Sequence, residues 1–252
     1  MWWNSMVGLG LEQAGRATIG LTGLRHRSVG VQEAVEHPGD GPVVLLGGLG
    51  ETRPCLDPMT LWLTRLGYDV TPYTIAAGMG CSQRTVTSLT RRVRELADRA
   101  GQPVRLVGHS RGGQFGRAVG VEAPDAVSHL VTIGTPFDLW GLSAPMAAAA
   151  WALAVAGTVG VPGLYGLGCL VGGRCCARFR ESLRAPWPDD LPFTSIYSRA
   201  DGAVPWRASH DPHAHNVEVR HGHVAQLTSA ATQRAVGAAL VRAPYEPLAV
   251  AA

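Results

Sequence analysis

The sequence has few charged residues, and they are not gathered into a block of one sign. Charged residues make up 16% of the 252-residue chain and hydrophobic residues 46%, and the formal net charge is only +3. The densest basic cluster, at residues 91–94, is followed by Glu95 and Asp98, which is typical of a solvated helix face. This composition excludes a disordered chain, and no nucleic-acid partner is expected.

The chain also lacks the cysteine patterns that build disulfide frameworks and zinc ribbons. Its five cysteines are an odd number without a Cys-x-x-Cys pair: Cys55, Cys81, Cys169, Cys175 and Cys176. Reduced thiols in a cytoplasmic protein are the favoured interpretation. In an exported protein, Cys55 and Cys81 could form a disulfide, or Cys169 could bridge to one of the vicinal pair, and the sequence does not decide between these.

No signal peptide is recognised at the start of the chain. The first residues lack a basic start, and Glu12 and Arg16 interrupt their apolar run. These two residues stand four positions apart, which predicts an amphipathic helix within an N-terminal helical extension over residues 1–41. Trp2 and Trp3 keep attachment to a membrane surface open as an alternative.

One long segment has no charge at all. From Leu139 to Gly173 the chain is built mainly of Ala, Gly, Leu and Val, so a transmembrane span has to be considered. Pro145 and Pro162 leave an interval of 16 residues between them, and a spanning helix needs roughly 20 apolar residues. We therefore expect a helical lid or cap, an insertion at about residues 137–191, and keep membrane contact as the alternative.

Short apolar runs alternate with helical patterns over most of the chain. Such alternation predicts an α/β domain at residues 42–240 with a mostly parallel sheet flanked by helices, followed by a C-terminal tail at 241–252. The predicted strands lie in PVVLLGGLG at residues 42–50 and at Asp69–Ile75, Val104–Val107, Leu130–Ile133, Phe193–Tyr197 and Val217–Arg220. The predicted helices run from Ser82 to Gly101, from Gly112 to Glu122 and from Ser229 to Val241.

A glycine-flanked serine follows directly on the apolar run VRLVG. The motif GHSRGG begins at Gly108, places Ser110 third and continues into a helical pattern. A nucleophile in this position occupies a sharp turn, and the following helix offers its positive end to a developing oxyanion. Gly-x-Ser-x-Gly alone is a weak signal, so its place between a strand and a helix carries the prediction that Ser110 is a catalytic nucleophile.

Two later residues can complete a catalytic triad. Asp201 follows the apolar run FTSIYS in a glycine-containing loop, and His223 follows the last predicted strand. A serine hydroxyl needs a base, and an imidazole base needs a carboxylate that fixes its tautomer. Asp189 and Asp190 are the reserve acids although they precede their strand, and His221 is the alternative base.

An oxyanion hole needs two backbone amides that point to the same place. The amide of Arg111, which follows the proposed nucleophile, is one candidate. The glycine-rich loop GGLG at residues 47–50 supplies the other, and Leu49 is the residue we expect to donate it.

Taken together, these segments resemble a known family. PVVLLGGLG, VRLVGHSRGG, HLVTIGTPF, SRADGAVPW and HGHV occur in the order found in α/β-hydrolase lipases and esterases, particularly compact bacterial ones. The resemblance covers about residues 42–240 and implies the α/β-hydrolase fold with an eight-stranded type of sheet. It also implies a lid or cap, no cofactor, and hydrolysis of esters whose acyl chains occupy an apolar pocket.

The chain departs from that family at one position. Many of these lipases have His-Gly where this chain has Gly47-Gly48, so a side chain that helps to anchor the oxyanion loop is expected to be absent. This departure keeps a non-catalytic lipid-binding protein open as an alternative. A second alternative is an acyltransferase or thioesterase that uses the same triad.

A histidine-rich segment near the end of the domain has the composition of a metal site. It contains His210, Asp211, His213 and His215, but Pro212 disturbs regular ligand spacing, and a solvated loop explains it equally well. We predict no metal and no cofactor. The expected function is hydrolysis of a small-molecule ester or lipid by Ser110, Asp201 and His223, with contact to a lipid interface as a further possibility.

Overall fold

A six-stranded parallel sheet forms the centre of the molecule in a computed structural model that describes residues 39–138 and 141–241. The strand order is β2-β1-β3-β4-β5-β6, and every neighbouring pair is parallel. The strands are β1 (Pro42–Leu46), β2 (Asp69–Tyr73), β3 (Val104–His109), β4 (Val127–Ile133), β5 (Phe193–Ser198) and β6 (His215–Val219). Parallel neighbours require crossover connections, which here run through helices on both faces of the sheet.

Seven α-helices lie between and after these strands in the described ranges. They are α1 (Arg53–Leu66), α2 (Ser82–Ala100), α3 (Arg111–Glu122), α4 (Ala144–Thr158), α5 (Leu167–Leu170), α6 (Ala177–Arg184) and α7 (Ala230–Leu240). Helix α2 was predicted from its apolar pattern, and Val86, Leu89 and Val93, which recur at helical spacing, are all fully buried. It ends at Gly101, whose left-handed φ of 64° suits a residue without a Cβ.

Strand β1 divides the core into its two faces. Val44 and Leu46 point into one apolar cluster with residues of α2, α3 and α6, whereas Val43 and Leu45 point into a second cluster with residues of α1 and α7. All four side chains are at most 1% exposed. A strand that is buried on both faces in this way has a continuous run of apolar residues in its sequence. The fold therefore has three layers, and the carboxyl ends of its parallel strands meet at one edge.

The fold class predicted from the sequence is confirmed, with two differences in detail. The resemblance implied an eight-stranded type of sheet, whereas residues 39–138 and 141–241 contain six strands. Helix α1 was not predicted, because Pro58 lies inside it and interrupts its helical pattern. Residues 1–38 of the expected N-terminal extension (1–41) and residues 242–252 of the expected tail (241–252) lie outside the described residues.

The uncharged segment lies between β4 and β5, as expected for an insertion. It contains α4, which has 15 residues, and α5, and the charged helix α6 follows it before β5. Within the residues that the structure describes, no helix combines the length and the apolar character that a membrane crossing requires. We refer to residues 137–191 as the insertion.

Candidate active site

Ser110 occupies the turn between β3 and α3 in a backbone conformation that residues with a Cβ rarely adopt. Its φ is 53° and its ψ is −123°, and Ala77 is the only other non-glycine residue of the described ranges with a positive φ. The Ser110 amide donates to the carbonyl of Ile133 at 2.8 Å, which holds the turn against β4. Strain of this kind persists only where the surrounding structure enforces it, and it is concentrated at functional sites.

The two glycines that flank Ser110 in the motif are required by close backbone approach. A Cβ on Gly108 would lie 2.5 Å from the Cα of Gly113. A Cβ on Gly112 would collide with the backbone carbonyl of Leu46 in β1. Neither collision can be relieved by moving a flexible side chain, so the Gly-x-Ser-x-Gly spacing follows from the packing of α3 against the sheet.

Asp201 and His223 lie together at the same edge of the sheet, on the loops after β5 and β6. Nδ1 of His223 is 2.7 Å from Oδ2 of Asp201, and the two side chains are 7% and 1% exposed. In the neutral ring, a proton on Nδ1 donated to the carboxylate leaves a lone pair on Nε2. That is the tautomer a general base needs.

The Asp201 carboxylate is held by three further hydrogen bonds. Its Oδ1 accepts from the amides of Ala203 and Val204 at 2.9 and 2.8 Å, and its Oδ2 also accepts from Nε2 of Gln226 at 2.9 Å. Burial raises the pKa of Asp201, but the bond and charge of His223 together with the two amides outweigh it, so the pKa lies below its ordinary value. The carboxylate is therefore ionised at neutral pH.

His223 is placed beside the turn that carries Ser110. Its ring centroid lies 4.7 Å from that of His109, the residue before Ser110. His109 Nε2 also lies 3.0 Å from the His223 backbone carbonyl. Among the described residues no hydrogen bond joins the Ser110 hydroxyl to the His223 ring. Catalytic hydrogen bonds are often long before substrate binds, so this geometry leaves the base role available.

The glycine-rich loop after β1 is anchored by a side chain that the sequence analysis missed. Oε2 of Glu51 accepts a hydrogen bond from the Gly48 amide at 2.6 Å, and its Oε1 lies 2.7 Å from Nδ1 of His109. Glu51 and His109 are both buried, at 2% and 0% exposure. The histidine side chain of the related lipases is absent from this loop, and Glu51 anchors the loop from its opposite end instead.

The Glu51–His109 pair links three parts of the site. Burial lowers the pKa of His109, but the charge and hydrogen bond of Glu51 and the bond to the His223 carbonyl raise it above its ordinary value. A protonated His109 donates from both ring nitrogens, to Glu51 and to the His223 carbonyl. The glycine-rich loop, the serine turn and the histidine loop are thereby joined by one buried chain of hydrogen bonds.

The two amides expected to form an oxyanion hole are available. In the described ranges the structure gives no protein acceptor to the amide of Leu49 or to that of Arg111. The loop is close to the serine, since a Cβ on Gly48 would lie 2.9 Å from the Cβ of Ser110. The Gly48 amide itself donates to Glu51, so the Leu49 amide stays the candidate donor from this loop.

The reserve residues of the sequence analysis do not join the site. Asp189 and Asp190 are exposed on the segment before β5. The His221 amide donates to the Ser198 hydroxyl at 3.1 Å, which ties that residue to the end of β5 through its backbone. Gln226, by contrast, does contact Asp201 in the site. It was not predicted, because this contact exists only when the two loops fold together and no motif marks it.

The histidine-rich segment is built around an ion pair. Oδ2 of Asp211 lies 3.1 Å from Nε of Arg117, and both side chains are buried. The amide of His213 donates to the other carboxylate oxygen at 2.9 Å. Over residues 39–138 and 141–241 these histidines form no group that could hold a metal ion. The ion pair holds this segment, which follows β5, against α3.

The chain is similar to known proteins in its structure. No protein-family model and no curated protein sequence matches the chain. A lipase of Bacillus licheniformis in its mature form is 20% identical, with a TM-score of 0.56 over 77% of this chain and 89% of its own. An alpha/beta hydrolase enzyme from a lagoon-sediment metagenome is 24% identical, with a TM-score of 0.52 over 75% of this chain and 85% of its own. The thioesterase domain from the curacin biosynthetic pathway is 19% identical, with a TM-score of 0.50 over 81% of this chain and 91% of its own.

Proposed function

We propose that this chain, which has the α/β-hydrolase fold, is a serine hydrolase that cleaves carboxylic esters with apolar acyl groups. The observation that carries the proposal is the pairing of a strained serine with a preformed histidine–aspartate dyad. Ser110 holds a φ of 53° at the end of β3, and His223 is hydrogen-bonded to Asp201 at 2.7 Å beside it. A purely structural turn does not need this combination.

The proposed mechanism gives each group one role. The lone pair on Nε2 of His223 takes the hydroxyl proton of Ser110 as the serine oxygen attacks the ester carbonyl. The amides of Leu49 and Arg111 donate to the oxyanion of the tetrahedral intermediate. The His223 imidazolium, stabilised by Asp201, then returns its proton to the leaving alcohol. Water repeats the same steps on the acyl-enzyme and releases the carboxylic acid.

The insertion supports an apolar acyl group as the substrate. Helix α4 consists largely of Ala with Trp, Leu and Val and has no charged residue. It follows β4, so the insertion leaves the sheet at the carboxyl edge, where Ser110 and Asp201 also lie, before the chain returns to the opposite edge to begin β5. A charged acyl group would lose hydration against such a surface without gaining a partner.

A thioester can replace the oxygen ester in the same mechanism. The curacin thioesterase domain is similar in fold to this chain, and the proposed triad does not discriminate between oxygen and sulfur leaving groups. We keep thioester hydrolysis as the second candidate. Parallel assays with matched oxygen esters and thioesters of one acyl chain measure the ratio directly.

The test is covalent labelling of the serine. A fluorophosphonate probe should label the wild-type chain and hydrolysis of nitrophenyl esters should follow, because only an activated serine reacts quickly. Ser110→Ala should lose both while keeping the circular-dichroism spectrum and melting temperature of the wild type. Ser88→Ala, a partly buried serine on α2, is the matched control and should retain both. Labelling or turnover that survives Ser110→Ala would overturn the proposal.

A further inference from the structure

Four cysteines from two separate parts of the chain meet at one point of the fold. Cys81 stands directly before α2, and the other three, Cys169, Cys175 and Cys176, belong to the insertion. The Sγ atoms of Cys81 and Cys176 are 3.6 Å apart, and those of Cys169 and Cys175 are 3.5 Å apart. All four sulfur atoms lie within 4.8 Å of one another.

These separations match the edges of a tetrahedron around one metal ion. A Zn–S distance of about 2.3 Å places neighbouring sulfur atoms about 3.8 Å apart in tetrahedral coordination. The sulfur atoms of the vicinal pair, Cys175 and Cys176, are 3.9 Å apart. A disulfide would require about 2.05 Å, and two separate disulfides would not require all four sulfur atoms to converge.

The surroundings supply a positive charge for such a centre. Zinc with four thiolates carries a net charge of about −2, and the Arg111 guanidinium lies near enough to interact electrostatically with Cys81, Cys169 and Cys176. Arg111 donates to the Ser82 hydroxyl at 2.9 Å and lies 4.8 Å from the centre of the Tyr165 ring. Among the described residues no carboxylate pairs with it, so an anionic metal–thiolate centre would give this partly buried cation a counter-charge.

We propose that Cys81, Cys169, Cys175 and Cys176 bind one structural zinc ion. Closed coordination by four thiolates leaves no open position for substrate, so the ion has no part in the hydrolysis. Thiolates are the ligands that zinc prefers at such a site. The sequence analysis missed it because the ligands lack the usual paired spacing and Cys81 comes from a different part of the chain.

The proposed ion fixes the insertion to the core beside the active site. The Tyr165 amide donates to the Met79 carbonyl at 2.7 Å, and the Gly50 amide of the glycine-rich loop donates to the Ala77 carbonyl, also at 2.7 Å. The segment between β2 and α2 therefore contacts the proposed oxyanion loop on one side and the insertion on the other. Zinc at Cys81 holds this segment and the loop around Cys175 together.

The first test is the metal and thiol content of the purified chain, prepared without a histidine tag and without chelator. Elemental analysis should find about one zinc per chain. The chain denatured with chelator and without reductant should show five reactive thiols, since all five cysteines are free. A single reactive thiol would show two disulfides and overturn the proposal. Five thiols without zinc, or iron in its place, would overturn it as well.

The second test uses cysteine variants. Cys175→Ser, which changes an exposed ligand, should reduce bound zinc by at least about tenfold. Cys55→Ser changes the one cysteine outside the cluster and should keep the full content. Equal zinc in both variants would refute the assignment.

Cobalt substitution of the wild-type chain gives a readout that does not depend on any variant folding. Tetrahedral thiolate ligation should produce intense visible and near-ultraviolet absorption bands, and zinc should displace them. Cobalt bound without these bands, or no cobalt bound, would also contradict the proposal. Because none of these measurements uses ester hydrolysis, the zinc site and the proposed function can fail separately.

Discussion

The Asp201 carboxylate allows a sharp test of the proposed triad at the scale of one residue. Asp201→Asn keeps the size of the side chain, but its amide can donate to Nδ1 of His223 and thereby place the ring proton on Nε2. His223 would then be unable to accept the Ser110 proton, and kcat should fall roughly 10⁴-fold. Ester hydrolysis under saturating substrate measures this. Asp189→Asn, on an exposed aspartate, should leave kcat unchanged, and a comparable loss there would contradict the assignment.

Glu51 is expected to matter through position rather than through contact with substrate. Glu51→Ala removes the acceptor of the Gly48 amide and leaves His109 buried without its partner. Breaking a buried pair in this way should lower the free energy of unfolding by about 3–5 kcal/mol, as urea denaturation would measure. Glu51→Gln is the conservative variant, since its carbonyl can still accept from Gly48. If the two variants lose kcat equally and keep wild-type stability, the anchoring role is wrong.

The same pair should make stability depend on pH with a defined sign. The pKa of His109 is raised in the folded chain, so the folded state binds the proton more tightly than the unfolded state does. Its stabilisation is fully present below the unfolded pKa of about 6.5 and is lost as the pH rises through the folded pKa. The free-energy difference between wild type and Glu51→Gln should therefore shrink as the pH rises from about 6.5 through the folded pKa of His109. A difference that grows over this interval would exclude a protonated His109.

The sequence allowed prediction of the site residues that belong to a local motif. It did not allow prediction of residues whose role depends on contacts between different loops. Ser110 was predicted from glycine spacing between a strand and a helix, and Asp201 and His223 from their order after later strands. Glu51 and Gln226 carry no local signal, because each acts by reaching a group on another loop. Their roles arise from tertiary contacts that spacing along the chain does not encode.

At the scale of elements, helix α4 presents an apolar face to solvent. Trp151 and Val155 of α4 and Val159, which directly follows its last residue, recur every four residues and are 39%, 49% and 77% exposed. Residues with this spacing lie on one side of a helix. Contiguous exposed apolar residues commonly mark an interaction surface, whereas single exposed apolar residues usually do not. We expect this face to contact the lipid interface on which an apolar ester would be presented.

Two substitutions on that face separate interface contact from catalysis. Val155→Asp with Val159→Asp should weaken adsorption to an emulsified long-chain ester and lower its hydrolysis, because carboxylates resist transfer from water. Hydrolysis of a short-chain ester in true solution should stay at the wild-type rate. Arg91→Asp on the solvated face of α2 is the control with a comparable change of charge. Equal losses on both substrates would assign α4 to the fold or to the active site instead.

Helix prediction from sequence succeeded where the apolar period was clean and failed where proline obscured it. In α2 the period alone located the element, and Gly101 marked its end. In α1 the buried residues are also regularly spaced, but Pro58 lies within the pattern. Tertiary burial of Leu56 and Met59, both 0% exposed, outweighs the lost backbone hydrogen bond.

At the scale of the whole molecule, the proposed zinc ion connects the outer part of the insertion, which is α4 and the loop around Cys175, to the core. Much of α4 faces solvent, and the loop of the cluster carries Arg174 on its surface. Local opening of such a region costs far less than global unfolding, and a ligand that binds only the closed form raises that cost. The metal is therefore expected to control how often the insertion opens rather than whether the sheet forms.

Limited trypsin digestion measures that opening at Arg174, which lies between Cys169 and Cys175. The zinc-loaded chain should resist cleavage there, and a strong chelator should accelerate it at least about tenfold while zinc restores protection. Arg207, exposed in the loop after β5, provides an internal control whose cleavage rate should not respond to metal. Equal acceleration at Arg174 and Arg207 would mean that chelation loosens the whole domain. An unchanged rate at Arg174 would mean that the four thiols do not hold the insertion, whatever metal they bind.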